Sequence, residues 1–150
     1  MSAAQIRRVN PPPAMSAADI DLLDRAQALL GRVWVQGRHE VATALRAADG
    51  SMFTGVHLEG SCRRSSICAE GVALGAARAG LDPSLPLQIA AVVSVQIKPA
   101  GQFRIIAPCG VCRELLSDYS PEAIVWITGD AGIQPVAAID LLPSKTRRVW

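Results

Sequence analysis

Pro108-Cys109-Gly110-Val111-Cys112 carries two cysteines three positions apart. On a helix, residues i and i+3 share a face, so both sulfurs can reach one ion. Zinc binds thiolates at about 2.3 Å and prefers four ligands, so two cysteines do not complete a site. The remaining soft candidates are His39, His57, Cys62 and Cys68. Spacing favours Cys68, which opens a helix of its own after Ser65-Ser66, a plausible cap, as Cys109 opens another. Two helix N-termini aimed at one ion favour thiolates there. Three cysteines leave the fourth position to water, the arrangement of catalytic rather than structural zinc. Three thiolates also leave the ion net negative, which Arg113 would help to offset. Glu70, two residues beyond Cys68, is the carboxylate placed to take a proton from that water and pass it on. Positions i and i+2 diverge within a helix, so Cys68 must sit at its very start for Glu70 to turn toward the metal.

The elements that must hold these groups follow from the pattern of the chain. Its 150 residues suit one domain, with 50% hydrophobic and 19% charged residues. We expect a flexible arm over residues 1–15, around Pro11-Pro12-Pro13, and a single domain over residues 16–150. Ser16 with Asp19 marks a helix start, and Gly31 can end that helix. Val41 to Arg46, Asp49-Gly50 and Met52 to Leu58 read as a hairpin. An Ala/Gly-rich helix spans residues 67–79. Ile89 to Val95 is a strand buried on both faces, and residues 98–107 are a loop or short edge segment. A helix follows over Cys109 to Tyr119, then a strand over Ile124 to Thr128, and a last strand over Val136 to Ile139. The order α-β-β-α-β-α-β-β predicts an α/β sheet covered on both faces.

Net charge is +2, no Lys/Arg run exceeds two residues, and aromatics make up 4% of the chain. Both features disfavour a nucleic-acid partner, and the aromatics in particular a single-strand binder. No apolar run approaches the ~20 residues of a membrane span, and Met1 to Pro13 lacks the apolar stretch of a signal peptide. The expected location is the cytoplasm, where the four cysteines stay reduced.

Cys68-Ala69-Glu70 followed by Pro108-Cys109-x-x-Cys112 resembles the three-cysteine signature of the cytidine deaminase family. The likeness runs from about Val41 to Leu142 and includes Phe53-Thr54-Gly55-Val56, Arg113 and the closing Leu141-Leu142-Pro143-Ser144. It extends to the blasticidin S deaminases within that family. The resemblance implies a three-layer α-β-α sandwich with a mixed five-stranded sheet. It implies a zinc-dependent hydrolytic deaminase that releases ammonia from an aminopyrimidine nucleoside or related heterocycle. It implies one Zn²⁺ per subunit on Cys68, Cys109 and Cys112, Glu70 as the proton shuttle, and a homotetramer. Substrate contacts would fall on His39, His57, Glu59, Arg63 and Ala69. The alternative is a catalytically silent zinc domain serving as a binding module.

The chain departs from the family pattern at several substrate positions. The ribose-gripping Asn-x-Glu reads His57-Leu58-Glu59, and the aromatic over the pyrimidine corresponds to His39. A Tyr-containing segment becomes Cys62-Arg63-Arg64, Gly71 follows Cys-Ala-Glu, and Glu114 replaces a Gln after Cys-Arg. Arg63 and Arg64 could meet a carboxylate or phosphate. Cys62 reads as a small packed thiol, Trp126 as core, and Trp150 as either a frayed end or an apolar anchor.

Overall fold

Alternation of β-branched and small residues builds a sheet here, and two different helical layers cover its faces. The computed structural model describes residues 5–149, apart from the Arg63 side chain. The N-terminal helix α1 spans Ala17–Val33, and Ser16 caps it, its hydroxyl accepting from the Asp19 amide at 3.2 Å. Strands β1 (Val41–Ala47) and β2 (Met52–Val56) form the expected hairpin, with Gly50 at φ 91° in the turn. Helix α2 spans Ala69–Gly80, strand β3 Ile89–Ile97 and helix α3 Gly110–Tyr119. Strands β5 (Ile124–Gly129) and β6 (Gly132–Ala137) follow.

The sheet order is β2-β1-β3-β5-β6. It is mixed: β3 and β5 run parallel, and the other neighbours run antiparallel. The expected five strands gain a short sixth, β4 (Phe103–Ile105), which pairs with the end of β3. Part of the stretch read as a loop or short edge segment is therefore ladder. The last strand begins at Gly132, earlier than the expected Val136, because the Gly129–Gly132 turn is tight enough for pairing to start at once. Residues 138–141 close as a 3-10 turn instead.

Leu22, Leu23 and Leu30 of α1 pack with Ala44, Val93, Val95 and Trp126 on one face of the sheet. Ala73, Leu74 and Ala77 of α2 and Leu116 of α3 pack with Leu45, Val92 and Val125 on the other. This is the three-layer sandwich the resemblance implies. Each fully buried Leu or Val contributes about 1.5–3 kcal/mol by leaving water. Trp126 is core, as expected, and its indole N–H donates to Asp19 Oδ2 at 3.1 Å. Asp19 also receives Arg46 at 2.5 Å, so the acid that helps start α1 ties the helix to the sheet beneath it.

Of the arm expected over residues 1–15, residues 5–15 are described. Ile6 and Met15 are buried, Arg7 bridges to Gln102, and the Val9 amide donates to Gln27 Oε1 at 2.8 Å. Trp150 lies outside the described residues. Among those described, no helix is long and apolar enough to cross a membrane.

Candidate metal centre

Cys68 and Cys109 are the N-cap residues of α2 and α3, both extended, with φ −68° and ψ 150° and 171° respectively. An N-cap stands outside its helix, so each sulfur leans over the open amides of the first turn. The Ser65-Ser66 cap expected from sequence does not form. Ser65 donates to the Cys62 carbonyl and Ser66 to Glu59, because a turn of 3-10 helix at Arg63–Ser65 carries both away from α2. Cys112 sits one turn into α3 and is buried.

The three sulfurs converge. Cys68 Sγ lies 3.5 Å from Cys109 Sγ, which lies 3.7 Å from Cys112 Sγ, and all three fall within 4.8 Å of one another. No disulfide joins them. Tetrahedral zinc with bonds of about 2.3 Å sets its sulfurs about 3.8 Å apart, so the spacing fits zinc and exceeds the ~2.05 Å of a disulfide. The thiols do not ionise evenly by themselves. Burial pushes Cys112 far up, and the Glu70 charge adds to it. Burial and the hydrogen bond with Cys109 push Cys68 up. Burial also opposes ionisation of Cys109, but hydrogen bonds from the Cys112 backbone, from the neighbouring thiols and from the Val111 backbone outweigh it and hold this thiol below its ordinary range. A divalent cation between the sulfurs is what would let all three become thiolates.

Glu70 is 3% exposed in the first turn of α2. Its Oε2 accepts from Cys112 Sγ at 3.4 Å, facing the sulfur cluster, and its Oε1 accepts from Ser94 Oγ at 2.9 Å. The expected geometry holds: Cys68 stands before the helix and Glu70 turns back toward the sulfurs. Packing sets that position. A Cβ on Gly55 of β2 would lie 2.3 Å from the Ala69 carbonyl oxygen and 2.5 Å from the Ala73 amide. Only glycine lets the first turn of α2 lie this close to the sheet.

A cavity of about 290 Å³ opens onto the cluster. Cys68, Ala69, Glu70 and Cys109 form its floor, and Glu40, His57, Gln96 and Lys98 are among the residues around its mouth. Gln96 comes from the C-terminal end of β3 and Lys98 from the residue just beyond it, the edge where parallel strands commonly present ligands. Of the expected substrate contacts, His57 and Ala69 line this space. His39 does not; its Nδ1 pairs with the His57 carbonyl at 3.0 Å. Glu59 also stays outside the lining and pairs with His57 Nε2 at 3.5 Å and with Ser66. The Arg63 side chain lies outside the described residues, and Arg64 is exposed.

Cys62 is exposed rather than packed, because its loop stands off the body. Arg113 donates to the Pro108 carbonyl at 2.8 Å and the Leu141 carbonyl at 3.2 Å, bracing the loop before Cys109 against the C-terminal turn. Sequence reasoning missed Ser94, Glu40, Gln96 and Lys98. The one signal for Ser94 was a hydroxyl amid the apolar run from Ile89 to Val95.

No family model matches the chain. It is 28% identical over 134 residues to the blasticidin-S deaminase of Bacillus cereus, covering 89% of this chain and 96% of that protein. It is 29% identical over 119 residues to the cytidine deaminase of Halalkalibacterium halodurans, covering 78% and 84%. The crystal structure of cytidine deaminase from Burkholderia pseudomallei superposes with a TM-score of 0.68 at 28% identity, covering 85% of this chain and 98% of that one. In sequence and in fold the chain is similar to members of the cytidine deaminase family. Cys68-Ala69-Glu70 and the Cys109/Cys112 pair, read from sequence as the family signature, thus meet at one point of a family fold.

Proposed function

We propose that the protein is a zinc-dependent hydrolytic deaminase, and that it acts on cytidine, deoxycytidine or a nucleoside antibiotic such as blasticidin S. One observation carries this reading: three sulfurs at zinc spacing share the floor of a cavity with a buried carboxylate whose Oε2 points at them. Cys68, Cys109 and Cys112 would hold one Zn²⁺. Zinc supplies an electrophilic centre that makes water acidic enough to attack near neutral pH. The chain's own part begins with orientation. Glu70 Oε2 faces the cluster, so it is the oxygen that takes the proton from the attacking water and delivers it to the amino group as ammonia leaves. The burial of Glu70 excludes competing solvent from that transfer. His57, 16% exposed at its side chain, is held with one ring nitrogen accepting from the Glu40 amide at 3.4 Å and the other against Glu59 at 3.5 Å, so it presents its ring to the substrate as part of the cavity wall. Glu59 supports it from behind rather than touching the ligand.

The test is ammonia release from cytidine, deoxycytidine, cytosine, blasticidin S and aminated purines, with zinc counted per chain. One zinc per chain and turnover of at least one of the first four compounds are expected. Zinc without turnover of any compound would support a silent binding module instead. We also infer self-association, by likeness to the family's tetramers. The apolar pair Leu58 and Ile67, 45% and 49% exposed, bridges one backbone step from His57 and Cys68 and offers a surface for a second copy. A monomer by light scattering at micromolar concentration overturns that part. Function in the cytoplasm fits a site that needs free thiols.

A further inference from the structure

Thr43 of β1 and Ser94 of β3 are direct partners across the antiparallel ladder. Their side chains are 0% and 3% exposed, and the hydroxyls lie 2.7 Å apart. A Thr–Ser pair of this kind is ordinarily a sheet contact. Here it has a third member, since Ser94 Oγ donates to Glu70 Oε1 at 2.9 Å. A serine hydroxyl has one proton. With that proton committed to Glu70, the 2.7 Å contact can be made only by Thr43 donating to Ser94. The three groups therefore form a one-way chain, Thr43 to Ser94 to Glu70, running from the middle of the sheet to the floor of the cavity.

We propose that Thr43 and Ser94 are positioning residues for deamination, acting through Glu70. The proposal rests on the proton-shuttle reading of Glu70 given above. The chain divides the work of the two carboxylate oxygens. Oε1 is occupied by a donor whether the carboxyl is charged or neutral, because a carboxylate and a carbonyl oxygen both accept. Oε2 is thereby left as the oxygen that gains and loses the proton, and it is the one turned toward the sulfurs. Without the Ser94 hydroxyl, the carboxyl would be free to rotate about its last bond. Either oxygen could then face the cluster, and the fraction of time spent in line for transfer would fall. Thr43 acts one step further back: its donation fixes the Ser94 rotor so that the Ser94 proton points at Glu70. Neither residue lines the cavity, so neither has a route to the substrate except through the acid.

The experiment compares Ser94→Ala, Thr43→Val, Thr43→Ser and the Ser94→Ala/Thr43→Val double variant with Glu70→Gln. It uses cytidine and blasticidin S as probes, with zinc content and thermal midpoint measured for each protein. Ser94→Ala is expected to lower kcat by about 10–100-fold, the usual range for a group that orients an active-site residue, with KM within about twofold and one zinc retained. Thr43→Val should lose less, and Thr43→Ser should recover most of that loss because it restores the donor. The double variant should be no slower than Ser94→Ala, because Thr43 has nothing to act on once the serine hydroxyl is gone. A Ser94→Ala enzyme with normal kcat beside an inactive Glu70→Gln enzyme overturns the relay and leaves the proposed function standing. Normal turnover by Glu70→Gln overturns the function itself. A raised KM at unchanged kcat, or loss of zinc, would assign Ser94 to binding or to the metal and also defeats the proposal. Should Ser94→Ala fail to fold, the Thr43→Val and Thr43→Ser pair decides by the same criteria.

Discussion

The two ends of the cavity are built by different means. At the floor, three sulfurs and a carboxyl group are held by helix starts, by close contact between α2 and β2, and by a buried hydroxyl chain. At the mouth, His57, Glu40 and Lys98 stand on strand ends and loops, and His57 is held there by the Glu40 amide, Glu59 and His39. Proton transfer of the proposed kind tolerates little displacement of the transferring atoms, and the floor's packing and hydrogen bonds limit it. Of the departures from the family pattern, His57 is the one that lines this cavity, and it does so at the mouth. The contrast teaches that reaction type and substrate choice are written in separate parts of one small site.

Removing a sulfur should have the largest effect. Cys112→Ala is expected to lose zinc and bring ammonia release below detection, by metal analysis and a coupled assay. A variant retaining full zinc and activity would show that the floor is not a metal site. Glu70→Gln should keep zinc but lose about 10²–10⁴-fold in kcat, the usual contribution of a positioned acid–base group. That result would separate holding the metal from moving the proton. Gly55→Ala should destabilise the fold by about 1–3 kcal/mol, because two backbone atoms of α2 meet the new methyl. It should also weaken zinc retention against a chelator, since α2 and Cys68 must shift together. An unchanged thermal midpoint would remove Gly55 as the spacer of the floor. The smallest effect belongs to the mouth. His57→Asn should change KM by up to about tenfold, near 1.4 kcal/mol, with zinc content and stability intact. A collapse of kcat for every substrate would instead join His57 to the floor and erase the distinction between the two ends.

Legibility in the sequence follows the same division. The sulfur cluster was visible because a metal site of the expected kind constrains residue type and local spacing, and Cys109 and Cys112 lie one turn apart at the start of one helix. The buried strand from Ile89 was visible because a strand covered on both faces must be apolar throughout. Glu59 and His39 looked like substrate contacts because their positions match the family's motif. The fold turns both toward other groups, Glu59 to Ser66 and His57, His39 to a backbone carbonyl. Strand β4 could be read only as a loop or short edge segment, because three residues give too little alternation to decide.

By itself, the sequence determined the order of the three helices and the five longer strands, the three thiols and the acid beside them, since each rests on residue type and on spacing within a few positions. Tertiary structure alone decided that Cys68 meets Cys109 across 41 positions of chain, that Gly55 makes room for the turn bearing Glu70, and that Thr43 and Ser94 stand opposite each other behind it. The physical reason is register and layer packing. Which hydroxyl faces which carboxylate depends on how two strands pair and how a helix lies across them, and no local pattern encodes that pairing.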